Sequence, residues 1–367
     1  MNPVYLDYNA TAPVKPAVIA AMAELLGRVG NPSSVHLFGR QARHAVEQAR
    51  EQVAALVGAK PAQVIFTGSG TEANNLALRG FPERAVIVSA IEHESVRRAA
   101  PDAAVLPVGR DGVVDLARLE VLLSEAARPA LVSVMLANNE TGIVQPLAEL
   151  AALAHRHGAL VHTDAVQAPG RLALDLAELG ADLLTVSAHK CGGPQGAAAL
   201  IARVDPAPLL VGGGQERNRR AGTENVAALV GFGVAARLAV DELAEAPSIA
   251  RLRDALEAGV RGASNKAVVI GAGQPRLPNT SCIALPGHKA ETQVMALDLA
   301  GIAVSAGSAC SSGKVAASAV LAAMGLPRTI AGSAIRVSLG WTTGDPDIER
   351  FVAAWHAMAL RPGRAPE

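Results

Sequence analysis

The apolar run Leu183-Leu184-Thr185-Val186-Ser187-Ala188 ends in His189-Lys190 and is followed by Cys191-Gly192-Gly193-Pro194-Gln195-Gly196. A lysine at the end of a buried strand is costly to desolvate unless its amine is used, and a desolvated amine can form a Schiff base with a carbonyl. The bland reading of Lys190 is an amine that snorkels to the surface. A second run, Val64-Ile65-Phe66-Thr67, passes through Gly68-Ser69-Gly70-Thr71 into Glu72-Ala73-Asn74. A strand, small residues and a helix start in that order expose backbone N–H groups and a hydroxyl, which together can cradle a phosphate. The segment lacks the lysine of a P-loop and the third glycine of a dinucleotide fingerprint, so an ordinary strand-to-helix turn is the alternative.

A third run, His162-Thr163-Asp164-Ala165-Val166-Gln167, puts a carboxylate at the end of another apolar strand. In a parallel sheet the carboxyl ends of the strands form the ligand crevice. Asp164, Lys190, the turn 68–71 and His93 of Glu92-His93-Glu94 are therefore expected to converge. Taken singly, Asp164 reads as a helix cap and His93 as a loop histidine.

Val304-Ser305-Ala306-Gly307-Ser308-Ala309-Cys310-Ser311-Ser312-Gly313 sets a thiol among residues too small to bury it, a context suited to a mobile, reactive cysteine. Cys282, inside an apolar strand, reads as inert packing, and Cys191 beside Lys190 is open to either role. Arg336, within Ala334-Ile335-Arg336-Val337-Ser338, is suited to gripping a carboxylate if it faces a cleft. Arg219 and Arg220, in a glycine-rich loop, read as ordered by an anion or a subunit contact.

Positioning these groups requires an α/β scaffold. From about residue 40 to 240, short Val-, Ile- and Leu-rich runs alternate with segments of helical period, the pattern of a mainly parallel sheet covered by helices. Strands are expected at 63–67, 85–89, 130–137, 159–163, 183–187 and 197–201. A helix from about Gln41 places Ala42, Val46, Ala49, Val53 and Leu56 on one face, with Gly58 as its stop. Near Asp241 the texture changes to a charged helix carrying Ile249, Leu252, Leu256 and Val260. Strands at 267–270, 281–285 and 335–339 follow, with helices at 290–300, 316–324 and 345–358. The expected division is a large α/β unit over 13–245 and a small α+β unit formed by 1–12 with 246–367.

The 367 residues carry 33 Lys+Arg against 33 Asp+Glu, so there is no electrostatic footprint for nucleic acid. Five Phe, two Trp and two Tyr offer few platforms for stacking single strands. The apolar run Val226 to Ala236 is shorter than the roughly 20 residues of a spanning helix, and the start lacks a signal pattern. The expectation is a cytoplasmic protein with no membrane or direct nucleic-acid partner. Three cysteines without ligand spacing suggest neither a disulfide framework nor a metal site.

The order of these segments resembles the cysteine desulfurases, in the class V aminotransferase-like group of fold type I pyridoxal-phosphate enzymes. The likeness runs from Tyr5-Leu6-Asp7-Tyr8-Asn9-Ala10-Thr11 to about Trp341 and includes Gly30-Asn31-Pro32-Ser33-Ser34, Asn138-Asn139-Glu140-Thr141-Gly142, His189-Lys190 and Gly307-Ser308-Ala309-Cys310. It implies a large domain with a mainly parallel seven-stranded sheet plus a small α+β domain. It also implies pyridoxal 5'-phosphate as cofactor. Lys190 would bond the cofactor aldehyde and remove the substrate Cα proton, Asp164 would face the pyridine nitrogen, and His93 would stack on the ring. Gln167 would reach the phenolic oxygen and Asn139 the ring edge or substrate, with Gly70, Thr71, Ser187 and His189 on the phosphate.

The resemblance further implies that Thr223 completes the phosphate site from the other subunit of a homodimer. Arg336 would hold the carboxylate of L-cysteine. Cys310, in the style of the long-loop desulfurases, would accept the sulfur and pass it to an acceptor or iron–sulfur scaffold protein, releasing alanine. The competing readings are an aminotransferase, a selenocysteine or cysteine-sulfinate lyase of the same fold, and a catalytically silent binding subunit.

Overall fold

A computed structural model describes residues 3–307 and 318–360. Thirteen strands among the described residues form three sheets. They are β1 (Val4–Tyr5), β2 (Val64–Thr67), β3 (Ala85–Ser89), β4 (Ala104–Leu106), β5 (Ala130–Ser133), β6 (Leu160–Asp164), β7 (Leu183–Ser187), β8 (Ala198–Ala202), β9 (Val268–Ile270), β10 (Thr280–Ala284), β11 (Ile302–Ala303), β12 (Ser305–Ala306) and β13 (Ala334–Ser338). The seven-stranded sheet has the order β2-β8-β7-β6-β5-β3-β4, in which β8 runs antiparallel to both its neighbours and the other pairings are parallel. β2, β5, β7 and β8 are buried at every position, which is why they read as continuous apolar runs and not as alternations.

Helices α1 (Pro16–Leu26), α2 (Leu37–Leu56) and α3 (Gly70–Arg79) lead in from the amino-terminal side. α2 buries Ala42, Val46, Ala49, Val53 and Leu56 in the larger core, and Gly58 follows with φ +61°, where a side chain would be strained. Its start lies four residues before the expected one because the His36 side chain accepts from the Gly39 N–H and caps it there. The strand expected over 130–137 ends as regular ladder at Ser133. The chain beyond still follows β6, with the Val134 N–H on His162 O and the Leu136 N–H on Asp164 O, before turning into Asn138. β4, Ala104-Val105-Leu106 with its first two residues exposed, is apolar but too short to read as a strand.

A four-stranded antiparallel sheet, β12-β13-β10-β9, forms a second centre with helices Ala246–Ala263, Ala290–Leu299 and Asp345–Ala359. Its core joins Leu252, Leu256, Phe351 and Trp355 to Val4 and Leu6 from the start of the chain. Burying each such side chain contributes about 1.5–3 kcal/mol. β1 pairs with β11, and Asp7 bridges to Ser338, so residues 4–8 belong to this second core and not to the large sheet. Among the described residues no helix is long and apolar enough to cross a membrane.

Candidate active site

The carboxyl ends of β6 and β7, the amino end of α3 and the face of β13 enclose a cavity of 420 Å³. Its wall contains Gly70, Thr71, His93, Asn139, Asp164, Gln167, Ser187, His189, Lys190 and Arg336, ten residues drawn from widely separated motifs. Thr223 is not among them. It lies beside Gly30, Asn31, Pro32 and Ser34 in a different groove. Cys310 lies outside the described residues, and Gly307, three positions before it, lines the cavity.

Lys190 Nζ donates to the carbonyl oxygens of Asn9 at 2.6 Å and Ala10 at 2.8 Å. The neighbouring His189 is pushed down to about 4 by burial and by the charge of Lys190, so its imidazole is neutral at neutral pH. β6 delivers Asp164 between two donors, Asn74 Nδ2 at 2.8 Å and the Val166 N–H at 3.0 Å. The helix-cap alternative is thus present as a local turn, while the other oxygen serves the cavity wall.

Asn74 Nδ2 also donates to Ser95 Oγ at 2.9 Å, and that hydroxyl lies 2.8 Å from His93 Nδ1. His93 caps a short helix, Glu94–Arg97, its Nδ1 accepting from the Ser95 N–H, so the neutral ring carries its proton on Nε2. A continuous path therefore links His93 to Asp164 through Ser95 and Asn74. Sequence reasoning missed Asn74 and Ser95. Helical spacing could have found Asn74, one turn after Gly70 on the face that packs against the sheet.

The amino end of α3 has Ser69 as its cap, accepting from the Glu72 N–H, which leaves the N–H groups of Gly70 and Thr71 without intrahelical partners. A Cβ on Gly70 would come within 3.3 Å of Val166 Cγ2 and 3.7 Å of Ser187 Cβ, so the backbone here runs close to the turn after β6 and to the end of β7, and a side chain would need Val166 to give by a few tenths of an ångström. On the opposite wall Arg336 donates from Nη2 to Asp7 Oδ1 at 2.9 Å and from Nη1 to Asn139 O at 3.1 Å. Its buried Nε has no partner among the described residues.

Glu140, from the Asn138-Asn139-Glu140 stretch, accepts from Ser318 Oγ at 2.5 Å and is pushed up to about 7 by burial. Glu92 sits beneath His93, accepting from Ser89 Oγ and from the Met135 N–H at 2.7 Å, and burial pushes it up to about 8. Neither was singled out from the sequence, because an acidic residue in a polar motif gives no sign of its burial.

Arg219 and Arg220 of the arginine-rich loop find partners within the chain. Arg219 donates to Ala62 O, Val64 O and Asp205, and Arg220 to Glu72. Glu216, Arg217 and Asn218 all have positive φ, and Glu216 is held by a two-pronged pair with Arg50 at 2.7 Å and 2.7 Å. Cys191 is resolved in favour of packing, because it is buried, donates to Ala188 O at 3.3 Å and is pushed up to about 11 by burial. Cys282 is buried on β10, with its thiol also pushed up by burial.

The donor set fits pyridoxal phosphate. An amine, a carboxylate fixed by two N–H donors, an imidazole, an amide and a helix amino end with a hydroxyl beside it share one cavity of suitable size.

The family model for class-V aminotransferases matches residues 4–351. A cysteine desulfurase from Cereibacter sphaeroides is 44% identical over 370 residues, covering 96% of this chain and 94% of that protein. An IscS-like cysteine desulfurase from Mycobacterium tuberculosis is 39% identical over 382 residues, covering 98% of this chain and 97% of that protein. The crystal structure of a NifS-like protein from Rickettsia africae superposes with a TM-score of 0.91 at 38% identity, covering 97% of this chain and 99% of that one.

Proposed function

The chain belongs to the class-V aminotransferase family and, within it, to the cysteine desulfurases, and we propose that the cavity around Lys190 removes sulfur from L-cysteine, leaving L-alanine and a persulfide on Cys310. The observation that carries this reading is the convergence of Lys190, Asp164, His93, Gln167 and Arg336 on one cavity with Gly307 at its wall.

The family depends on pyridoxal phosphate, which when bound supplies an electron-accepting ring that makes the substrate Cα–H bond acidic. Asp164 would hold the pyridine nitrogen, His93 the ring face and Gln167 the phenolic oxygen. Ser187, neutral His189 and the amino end of α3 would hold the phosphate. Asn139 would stand at the ring edge, against the substrate.

Arg336 grips the substrate carboxylate through its remaining donors and so points the Cα–H bond at Lys190. The amine of Lys190 takes the Cα proton as general base and, later, returns a proton to the product carbon. Cys310 as thiolate attacks the substrate sulfur. The carbon–sulfur bond breaks with its electron pair going to carbon, and the new sulfur–sulfur bond stays on Cys310 until an acceptor thiol takes the outer sulfur.

Further parts of the reading are a homodimer in which Thr223 completes the partner's phosphate site, a cytoplasmic setting and delivery to an iron–sulfur scaffold or other acceptor. Residues 13–245 would act as the cofactor unit and 1–12 with 246–367 as the unit carrying Cys310.

The test is alanine and sulfide production from L-cysteine by wild type and Cys310→Ala, together with the visible absorption of wild type and Lys190→Ala. Loss of sulfur release in the first variant and of the band in the second are expected. Equal sulfur release by wild type and Cys310→Ala would overturn the desulfurase reading in favour of a lyase.

A further inference from the structure

We propose that Arg171 is a positioning residue for the active site, fixing the Gln167 side chain so that its N–H end is the one offered to the cofactor's phenolic oxygen. The proposal rests on the reading of Gln167 given above and extends it to the group behind it.

A primary amide has two ends of nearly the same shape and opposite hydrogen-bonding sense, so its neighbours decide which end a ligand meets. Gln167 Nε2 donates to Asn9 O at 3.0 Å, and Gln167 Oε1 accepts from Arg171 Nη1 at 2.5 Å. A guanidinium has donors only and cannot face an amide N–H, while a carbonyl oxygen cannot face an amide oxygen. The two neighbours together permit one orientation. Asn9 uses one of the two hydrogens on Nε2 and leaves the other for the cavity that Gln167 lines.

Arg171 is itself placed by the turn that follows β6. The Arg171 N–H bonds Ala168 O, and Gly170, at φ +73°, reverses the chain so that residues 167 and 171 meet. Its guanidinium also reaches Gln167 O at 3.2 Å, Tyr8 O at 3.4 Å and Lys190 O at 3.4 Å. One cation thus ties together the Gln167 turn, the segment whose Asn9 carbonyl receives Lys190 Nζ, and the backbone of Lys190. Among the described residues it forms no ion pair with a carboxylate, so replacing it strands no buried anion.

His93, Asp164, His189 and Arg336 share the cavity with Lys190, and Lys15, Cys191, Glu242 and Glu245 line a second cavity behind it. None is altered in the test. Visible absorption of the holoenzyme is titrated with pH for wild type, Gln167→Ala, Arg171→Gln, Arg171→Lys and the double variant Gln167→Ala/Arg171→Gln. A donor on an anionic oxygen favours the deprotonated chromophore, so Gln167→Ala is expected to raise the midpoint by about one pH unit. Arg171→Gln is expected to move it the same way, Arg171→Lys to restore most of the shift, and the double variant to move no further than Gln167→Ala alone.

An Arg171→Gln midpoint equal to wild type while Gln167→Ala moves it, or shifts that add in the double variant, would overturn the proposal. Arg171→Met, which keeps the bulk without a donor, gives the same decision should Arg171→Gln not fold. A wild-type protein without the band would overturn the cofactor reading itself, and a midpoint that Gln167→Ala leaves unmoved would overturn the role of Gln167, either one taking the role of Arg171 with it.

Discussion

Arg336 faces the cavity already paired with an acid, Asp7, whose Oδ1 lies 2.9 Å from Nη2 and whose Oδ2 accepts from Ser305 Oγ at 2.8 Å. The arginine is 4% exposed and the aspartate 17%, so the pair is shielded from water and its geometry, more than its net attraction, is what the site gains. Asp7 holds one edge of the guanidinium through Nη2 and so fixes the plane of the group at the cavity wall. Replacing Asp7 with Asn is expected to raise the KM for L-cysteine about tenfold, the equivalent of about 1.4 kcal/mol, with a smaller effect on kcat. Steady-state kinetics check this, and an unchanged KM would remove Asp7 from substrate binding.

Asn74 connects the groups proposed for the pyridine nitrogen and for the face of the cofactor ring, Asp164 directly and His93 through Ser95. Asn74→Ala removes one donor from Asp164 and one from Ser95, at a cost of about 1–3 kcal/mol. The expected outcome is cofactor that washes out on dialysis under conditions where wild type keeps it, while Asn75→Ala, which alters only a bond to the backbone of Thr71, behaves as wild type.

Stability should fall with rising pH between about 6.5 and 8. Glu92, pushed up to about 8, keeps its proton in the folded state over most of this window, whereas in the unfolded state it has already lost it, so the native state binds more protons and the slope is negative. His162 and His189, both pushed down to about 4, have the opposite sign, and their contribution fades through the lower part of the window as the unfolded imidazoles lose their protons above about 6.5. Glu140, pushed up to about 7, adds to the fall in its lower part. The slope from Glu92 is at most about 1.4 kcal/mol per pH unit, and Glu92→Gln is expected to flatten it. Urea unfolding at pH 6.5, 7.25 and 8 reads it directly.

Breaking the buried pair of Arg50 and Glu216 is expected to cost about 3–5 kcal/mol, because one charge is left buried and alone. Glu216→Gln should therefore lower the urea midpoint. It should also release the loop 216–218 to proteolysis, since three successive non-glycine residues with positive φ stay in place only where their surroundings hold them.

Alkylation of the native protein should modify Cys310 alone. Cys191 and Cys282 are buried with thiols pushed up, and thiolate is the reactive form. Cys191→Ala is expected to keep sulfur release. Mass spectrometry after brief iodoacetamide treatment, with and without Cys310→Ala, decides it.

The parts of the site that lie at strand ends were legible in the sequence. Asp164, Ser187 and Lys190 close apolar runs, and an apolar run that stops at a polar residue marks the crevice of a parallel sheet. Gly70 and Thr71 were legible because small residues between a strand and a helix have few other uses. Arg336 was visible as a cation inside a strand. Asn74 was marked only by its helical spacing from Gly70, and Ser95 and Arg171 were not marked at all, since each is placed by hydrogen bonds to other side chains that no spacing shows. Glu92 and Glu140 were hidden for a related reason, because burial of an acid is decided by distant segments such as Met135 and Ser318. For Arg219 and Arg220 the charge was visible in the sequence while their intrachain partners on Glu72, Asp205 and Val64 were not.

The segment Asp7 to Ala10 touches the last strand of the small sheet as well as the reactive lysine. Asn9 N–H bonds Ser338 Oγ across 329 positions, and Asn9 Nδ2 bonds Thr280 Oγ1 across 271. These residues are synthesised before the large sheet over 64–202 and their partners after it, so that sheet has every strand it needs before the carbonyl acceptors of the Lys190 amine are fixed. Closing so long a loop comes late in folding. A nascent chain of this protein therefore carries a formed scaffold and an unfinished site until synthesis passes β13, and the lysine gains its two carbonyl contacts only when the second core is complete.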